Sequence, residues 1–207
     1  MVSKSLALAD TPDLLVRNAA AWRAWLRKHH STSGGVWLVL ARKGTTKPTS
    51  LTHDDALDEA LCHGWIDGQG RGRDTLTTFL RFTPRRQRSV WSKRNTVLIE
   101  RLLSEGRMHP AGIAEVERAK ADGRWEAAYA GPASIEVPPE LTAALSAEPK
   151  ADAMFRTLNS QNRYAILYRI ATAKRAQTRA QRIERFVAML ARGETIYLQN
   201  STRAESK

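Results

Sequence analysis

Nine residues, Gly131-Pro132-Ala133-Ser134-Ile135-Glu136-Val137-Pro138-Pro139, interrupt the chain with three prolines and no hydrophobic period. Proline fixes φ and removes a backbone donor, so neither a helix nor a sheet ladder continues through such a run. Whatever forms must therefore be built on the two sides of this break. Upstream, β-prone apolar runs alternate with amphipathic ones, and all six tryptophans lie there. Downstream, the periodic segments are helical. The division predicts an α+β fold, with a small sheet and helices in an N-terminal domain at 12–130. A linker at 131–139, an all-helical segment at 140–197 and a disordered tail at 198–207 complete the expectation.

Asn18 caps a helix from Ala19 to His30, with Trp22, Trp25 and Leu26 on its apolar face. Val36 to Leu40 is continuously apolar and predicts a buried strand. Thr52, with Asp55 three residues on, opens a helix that buries Ala56, Leu57, Ala60 and Leu61 and ends at Gly64. Trp65-Ile66-Asp67-Gly68 reads as a short apolar piece ending in a turn, and after the Gly/Arg segment 68–73, Thr75 to Phe82 reads as a second strand that Pro84 ends. Ser92 caps a helix expected to bury Val97, Leu98, Leu102 and Leu103. Pro110 opens another, with Ile113, Val116 and Ala119 or Lys120 along one side. Asn159 or Ser160 caps a long helix, and Ile183, Phe186, Val187 and Leu190 mark the last one.

Charge narrows the function. The formal net charge is +12, and two short windows hold more than all of it. Residues 71–94 carry eight basic groups and one acid, and residues 163–185 carry seven and one. The preference for arginine in both favours planar, hydrogen-bonded pairing over plain solvation. A single cysteine excludes a disulfide framework and a multi-cysteine metal site. No apolar run reaches the roughly 20 residues of a membrane span. The first residues have one lysine and a short apolar patch that Asp10 breaks, too weak for a secretory signal. The expectation is a cytoplasmic protein with no cofactor and no metal.

The most informative stretch runs from Arg81 to Asn95. It places Arg81, Arg85, Arg86 and Arg88 before a helix start at Ser92 and Lys93, with Trp91 between. Arginines at a helix N-terminus suit an anion, phosphate or carboxylate. The plainer reading has the arginines paired with Asp67 or Asp74 and Trp91 in the core. Asp67 closes an apolar piece beside the arginines and either holds one in place or acts as a base. Gly68, Gly70 and Gly72 alternate but match no nucleotide-binding fingerprint. Cys62 reads as a small buried residue, and the acids Asp54, Asp55, Asp58 and Glu59 as ordinary first-turn residues. His29 and His30 suit a helix C-terminus. Further on, Arg175, Arg179 and Arg182 fall at i, i+4 and i+7 as a basic stripe. Such a stripe either binds polyanions or is a solvated face.

Several blocks together resemble a known family. They are Trp37-Leu38 with Lys43-Gly44-Thr45-Thr46, Glu59-Ala60-Leu61-Cys62 with Gly64-Trp65-Ile66-Asp67-Gly68, Arg81-Phe82-Thr83-Pro84-Arg85-Arg86, and Trp91-Ser92-Lys93-Arg94-Asn95. Ala171-Thr172-Ala173-Lys174-Arg175 and Arg182-Ile183 complete the set. The chain thereby resembles, over roughly residues 12–197, the bacterial YdeI or OmpD-associated family, also called bacteriocin-protection. His63 stands where that family suggests an aromatic residue. The resemblance implies an α/β N-terminal part, a helical C-terminal segment, and a link to survival under bacteriocins and antimicrobial peptides and to an outer-membrane porin. It supplies no reaction and no catalytic residue. The expectation is a non-enzymatic stress or antimicrobial-peptide tolerance factor whose arginine-rich site takes a small anion or an acidic protein partner. An enzyme acting on a phosphorylated or carboxylated small molecule, and a nucleic-acid binder using both windows, remain alternatives.

Overall fold

The computed structural model describes residues 11–132, 134–173 and 175–199. Among them the fold is α+β, with eight helices and one mixed four-stranded sheet. The chain divides into two compact units. The first comprises residues up to Trp91 together with Asn95–Ala127. The second comprises Ser92–Arg94 and the chain from Ala128.

In the first unit the elements run β1 (Asp13–Leu14), α1 (Ala19–His29), β2 (Val36–Ala41), α2 (His53–Cys62), β3 (Trp65–Gly72) and β4 (Thr77–Pro84). They are followed by α3 (Lys93–Ser104), whose first two residues group with the second unit, and α4 (Pro110–Ala121). The strand order is β1-β2-β4-β3, with β1 parallel to β2 and the other pairs antiparallel. Cross-strand partners share a face. Val36 pairs with Phe82 and Leu38 with Leu80, and this face, with Leu40, packs on Trp22 and Leu26 of α1 and Ala56 and Ala60 of α2. The Trp22 indole N–H donates to the Ala56 carbonyl at 3.1 Å, so its one polar atom is satisfied inside the core. The opposite face carries Trp37, paired with Arg81, and Phe79, paired with Arg71.

The glycine-rich stretch expected to turn is instead the outer strand β3. Its register slips between Asp67 and Gly70, a bulge that leaves Gly68 and Gln69 outside the ladder. The partner β4 is regular and β-prone, and its backbone groups outweigh the poor strand preference of the glycines. The helix phases also differ from expectation. On α3 Asn95, Ile99 and Leu102 face inward, while Val97 is 63% and Leu103 41% exposed. A buried asparagine at the head of the inward stripe concealed its phase. On α4 the inward set is Gly112, Val116 and Ala119, and Ile113 is left largely outside.

The second unit contains α5 (Pro139–Ser146), α6 (Pro149–Arg156), α7 (Ser160–Ala171) and α8 (Ala176–Ala191). Helix α6 was not expected. Pro149 opens it, and Ala151 and Phe155, at i and i+4, anchor it. The core gathers Leu141, Leu145, Phe155, Ile166, Ile170, Ile183, Phe186 and Leu190, and Ile135 and Val137 of the proline-rich segment pack against it. Buried Asn162 binds the last described residues, donating to the Tyr197 carbonyl at 3.0 Å and accepting from the Tyr197 N–H at 2.9 Å. Residues 200–207 of the expected tail lie outside the described residues.

Candidate functional site

The arginine window opens on the sheet. Arg71 lies over both Trp37, 4.5 Å to the ring centre, and Phe79, 4.4 Å, and pairs with Asp13 at 2.5 Å. Arg73 pairs with Asp74, whose carboxylate also accepts from Thr77. That hydroxyl bond is the main reason Asp74 titrates below the ordinary range. Arg81 donates to the Thr11 hydroxyl at 3.2 Å. Asp74 is thus held by Arg73, not by an arginine of the 81–88 stretch expected to pair with it.

Beyond Pro84 the chain makes a braced turn. The Arg85 N–H donates to the Gly64 carbonyl at 2.9 Å. The Arg85 side chain then turns inward, with its guanidinium 3.5 Å from the centre of the Trp91 ring and a bond to the Val90 carbonyl at 3.3 Å. Trp91 is 2% exposed and packs on Trp125 with ring centres 5.0 Å apart. Trp91 is thus core, and no face of it is open for stacking on a base. Ser89 closes the turn, its hydroxyl accepting from the Arg86 N–H and its own N–H donating to the Arg86 carbonyl, both at 2.9 Å. Arg124 clamps the Ser89 carbonyl at 2.8 Å. Arg86 and Arg88 project from this frame into solvent, and neither takes a carboxylate partner among the described residues. Ser92 and Lys93 belong to the second unit, where they lie along Tyr129 and the Lys93 N–H donates to the Tyr129 carbonyl at 2.9 Å.

The His53 Nε2–H donates to the Asp67 carboxylate at 3.2 Å, and no arginine pairs with Asp67 among the described residues. The basic stripe is likewise taken apart. Arg175 is the exposed cap residue of α8, Arg179 pairs with Glu140 at 3.3 Å, and Arg182 donates to the Arg169 carbonyl.

Two constellations escaped the sequence reading. Glu59 is no ordinary first-turn acid. It is 2% exposed and accepts from Arg23 at 2.7 and 2.5 Å and from Arg107 at 2.8 Å. Burial opposes its charge, yet the two guanidiniums hold its carboxyl below the usual range. Nothing local marks Arg23 and Arg107 as its partners, since they lie 36 and 48 residues away.

The second is a trio of histidines. His30 caps the end of α1, His63 the end of α2, and His109 the start of α4. Their ring centres lie 4.8 to 5.6 Å apart. A carbonyl only accepts, so the 3.0 Å contacts to the Leu26 and Glu59 carbonyls place a proton on Nδ1 of His30 and of His63. His109 is the opposite, because its Nδ1 accepts from the Ala111 N–H at 3.2 Å. The buried Nε2 of His63 has no hydrogen-bond partner among the described residues. Burial, helped by the neighbouring rings, lowers the pKa of His63 and of His109. Nearby Cys62 is buried and its thiol is pushed up to about 11, mainly by desolvation, so it is not an activated nucleophile. No group of three His, Cys, Asp or Glu residues among those described is placed to hold a metal ion. The shared signal was positional: all three histidines sit at helix ends.

Comparison with known families divides the chain at nearly the same place as its sequence. Residues 134–193 match the family described as Bacteriocin-protection, YdeI or OmpD-Associated, and residues 14–115 match a Domain of unknown function (DUF8412). The resemblance stated from sequence is borne out on the C-terminal segment, while the blocks from Trp37 to Asn95 fall in the residues matched by the second family. No curated protein and no solved structure matches the chain.

Proposed function

We propose, for a chain whose residues 134–193 match the YdeI/OmpD-associated family, a cytoplasmic, non-enzymatic role in tolerance to bacteriocins or antimicrobial peptides, exercised by binding a small anion or an acidic protein segment. The observation that carries the binding part is the braced turn Pro84–Trp91. Its buried Arg85–Trp91 stack and the Ser89 and Arg124 bonds fix a frame, and the frame presents Arg86 and Arg88 to solvent with no carboxylate partner among the described residues. The braced backbone holds both arginines on one turn, and each guanidinium can make charge-assisted, bidentate bonds to a phosphate or carboxylate. No helix among the described residues is long and apolar enough to cross a membrane, so an envelope effect would run through such a ligand or partner. The enzymatic alternative needed Asp67 to converge with the arginines, and Asp67 engages His53 instead.

Thermal shift against inorganic phosphate, pyrophosphate and citrate tests the reading. Stabilisation of the wild type is expected, about 2.7 kcal/mol at a hundredfold excess over Kd. An Arg86→Ala/Arg88→Ala double variant should fold normally and lose it. Cells relying on that variant should lose bacteriocin tolerance. Equal shifts in both proteins, or binding to random duplex that falls steeply with salt, would overturn the proposal.

A further inference from the structure

All four tyrosines of the chain, Tyr129, Tyr164, Tyr168 and Tyr197, lie in the second unit. Three of them, Tyr164, Tyr168 and Tyr197, line an open cavity of about 520 Å³, within the usual range for small-molecule sites. The cavity follows from the sequence of α7. Tyr164 and Tyr168 are four residues apart and stand one above the other on one helix face. Beside them Ala165 and Arg169 repeat the same spacing, so a small residue and a cation join the lining. Pro132 and Tyr197 supply further apolar wall. The rings brace each other: Tyr129 meets Tyr168 edge-on at 4.9 Å, and Tyr164 lies 5.6 Å from Tyr168. Burial, reinforced by Tyr129 and Tyr168, pushes the Tyr164 hydroxyl up to about 12, so this ring stays neutral at physiological pH.

Arg169 decides the sign of the occupant. Its Nη1 donates back to the Ala165 carbonyl at 2.9 Å, which holds the guanidinium against its own helix in the cavity lining. No carboxylate among the described residues pairs with it. The surrounding window 163–185 carries seven basic groups and one acid. Tyrosine faces alone would also welcome a cation, but this charge opposes one. We infer that the cavity binds a small aromatic carboxylate, its ring against Tyr164, Tyr168 and Tyr197 and its carboxylate on Arg169.

The site shares no residue with the Arg86/Arg88 turn, so either proposal can fail without the other. Isothermal titration of the full chain with 2-naphthoate tests it, with 2-naphthol as the uncharged counterpart. Saturable one-site binding of naphthoate is expected, about tenfold tighter than naphthol. Arg169→Gln should remove that tenfold preference and leave naphthol unchanged. Tyr164→Leu should weaken both ligands, and Arg86→Ala/Arg88→Ala should weaken neither. As a check on the unaltered protein, naphthoate should shift the NMR signals of Tyr164, Tyr168 and Tyr197 first. No saturation, equal preference in Arg169→Gln, or shifts centred elsewhere would each overturn the inference.

Discussion

His63 shows how much a single side chain can be asked to do. Its Nδ1–H holds the Glu59 carbonyl, its ring stacks at 20° on His109, and its buried Nε2 has no partner among the described residues. A proton on that ring would be a charge taken out of water beside two more imidazoles. On His109 a proton would take the lone pair that caps Ala111, at the positive end of α4. Both groups have folded-state pKa values lowered from the unfolded value of 6.5, so the unfolded chain binds more protons below neutrality. Stability is therefore full above about 6.5 and falls as the pH drops through that value. Chemical denaturation as a function of pH should show this loss beginning near pH 6.5, and His63→Phe should reduce it. If the wild type and His63→Phe show the same loss between about pH 7 and 5, the histidine trio is not the source. Glu59 is separate in this respect. Its carboxyl is held low, so its pairing with Arg23 and Arg107 is lost only in stronger acid, below the ordinary carboxylate range.

At the level of elements, the joint between α2 and α4 depends on a missing side chain. A Cβ on Gly112 would lie 2.3 Å from the Cys62 carbonyl oxygen, and that same oxygen accepts from the His109 N–H at 3.0 Å. The two helices meet backbone to backbone there. Gly112→Ala should push them apart and cost about 2–3 kcal/mol in denaturant-derived stability, as overpacking does elsewhere. Gly123 offers the contrast. It adopts φ +74° with nothing within 4 Å, so Gly123→Ala should cost only the backbone strain, about 1 kcal/mol. A smaller loss in Gly112→Ala than in Gly123→Ala would refute the contact. This joint also marks where sequence legibility ends. Caps and stops were readable because they are local: Asn18, Thr52, Asn159 and the positive-φ glycines 64, 106, 123 and 193 stand where propensity places them. The strand β3 was not, because its stability comes from β4 rather than from its own glycines. Nor was the inward turn of Arg85, since an arginine beside two exposed arginines carries no sequence mark of burial. Gly112 sets the phase of α4 through a neighbour fifty residues away in the chain.

For the molecule as a whole, the break at residues 131–139 divides the buried side chains into two sets. One gathers around Trp22, Leu38 and Phe82, and the other around Leu141, Ile166 and Leu190. Each set lies within one unit. A cavity made in the second core by Leu190→Ala should cost that unit about 2–5 kcal/mol. The first unit's unfolding midpoint should move less. Equal displacement of both would mean that the units unfold as one cooperative body. The uneven distribution of aromatic residues makes the measurement direct. Every tryptophan falls in the first unit and every tyrosine in the second. The chain thus carries two intrinsic optical labels. Indole emission excited at its red edge follows the first unit alone. The near-ultraviolet absorbance of phenol, resolved by derivative spectroscopy, follows the second. Unfolding of each unit can be watched in one unlabelled sample, and so can entry of an aromatic ligand among the tyrosines.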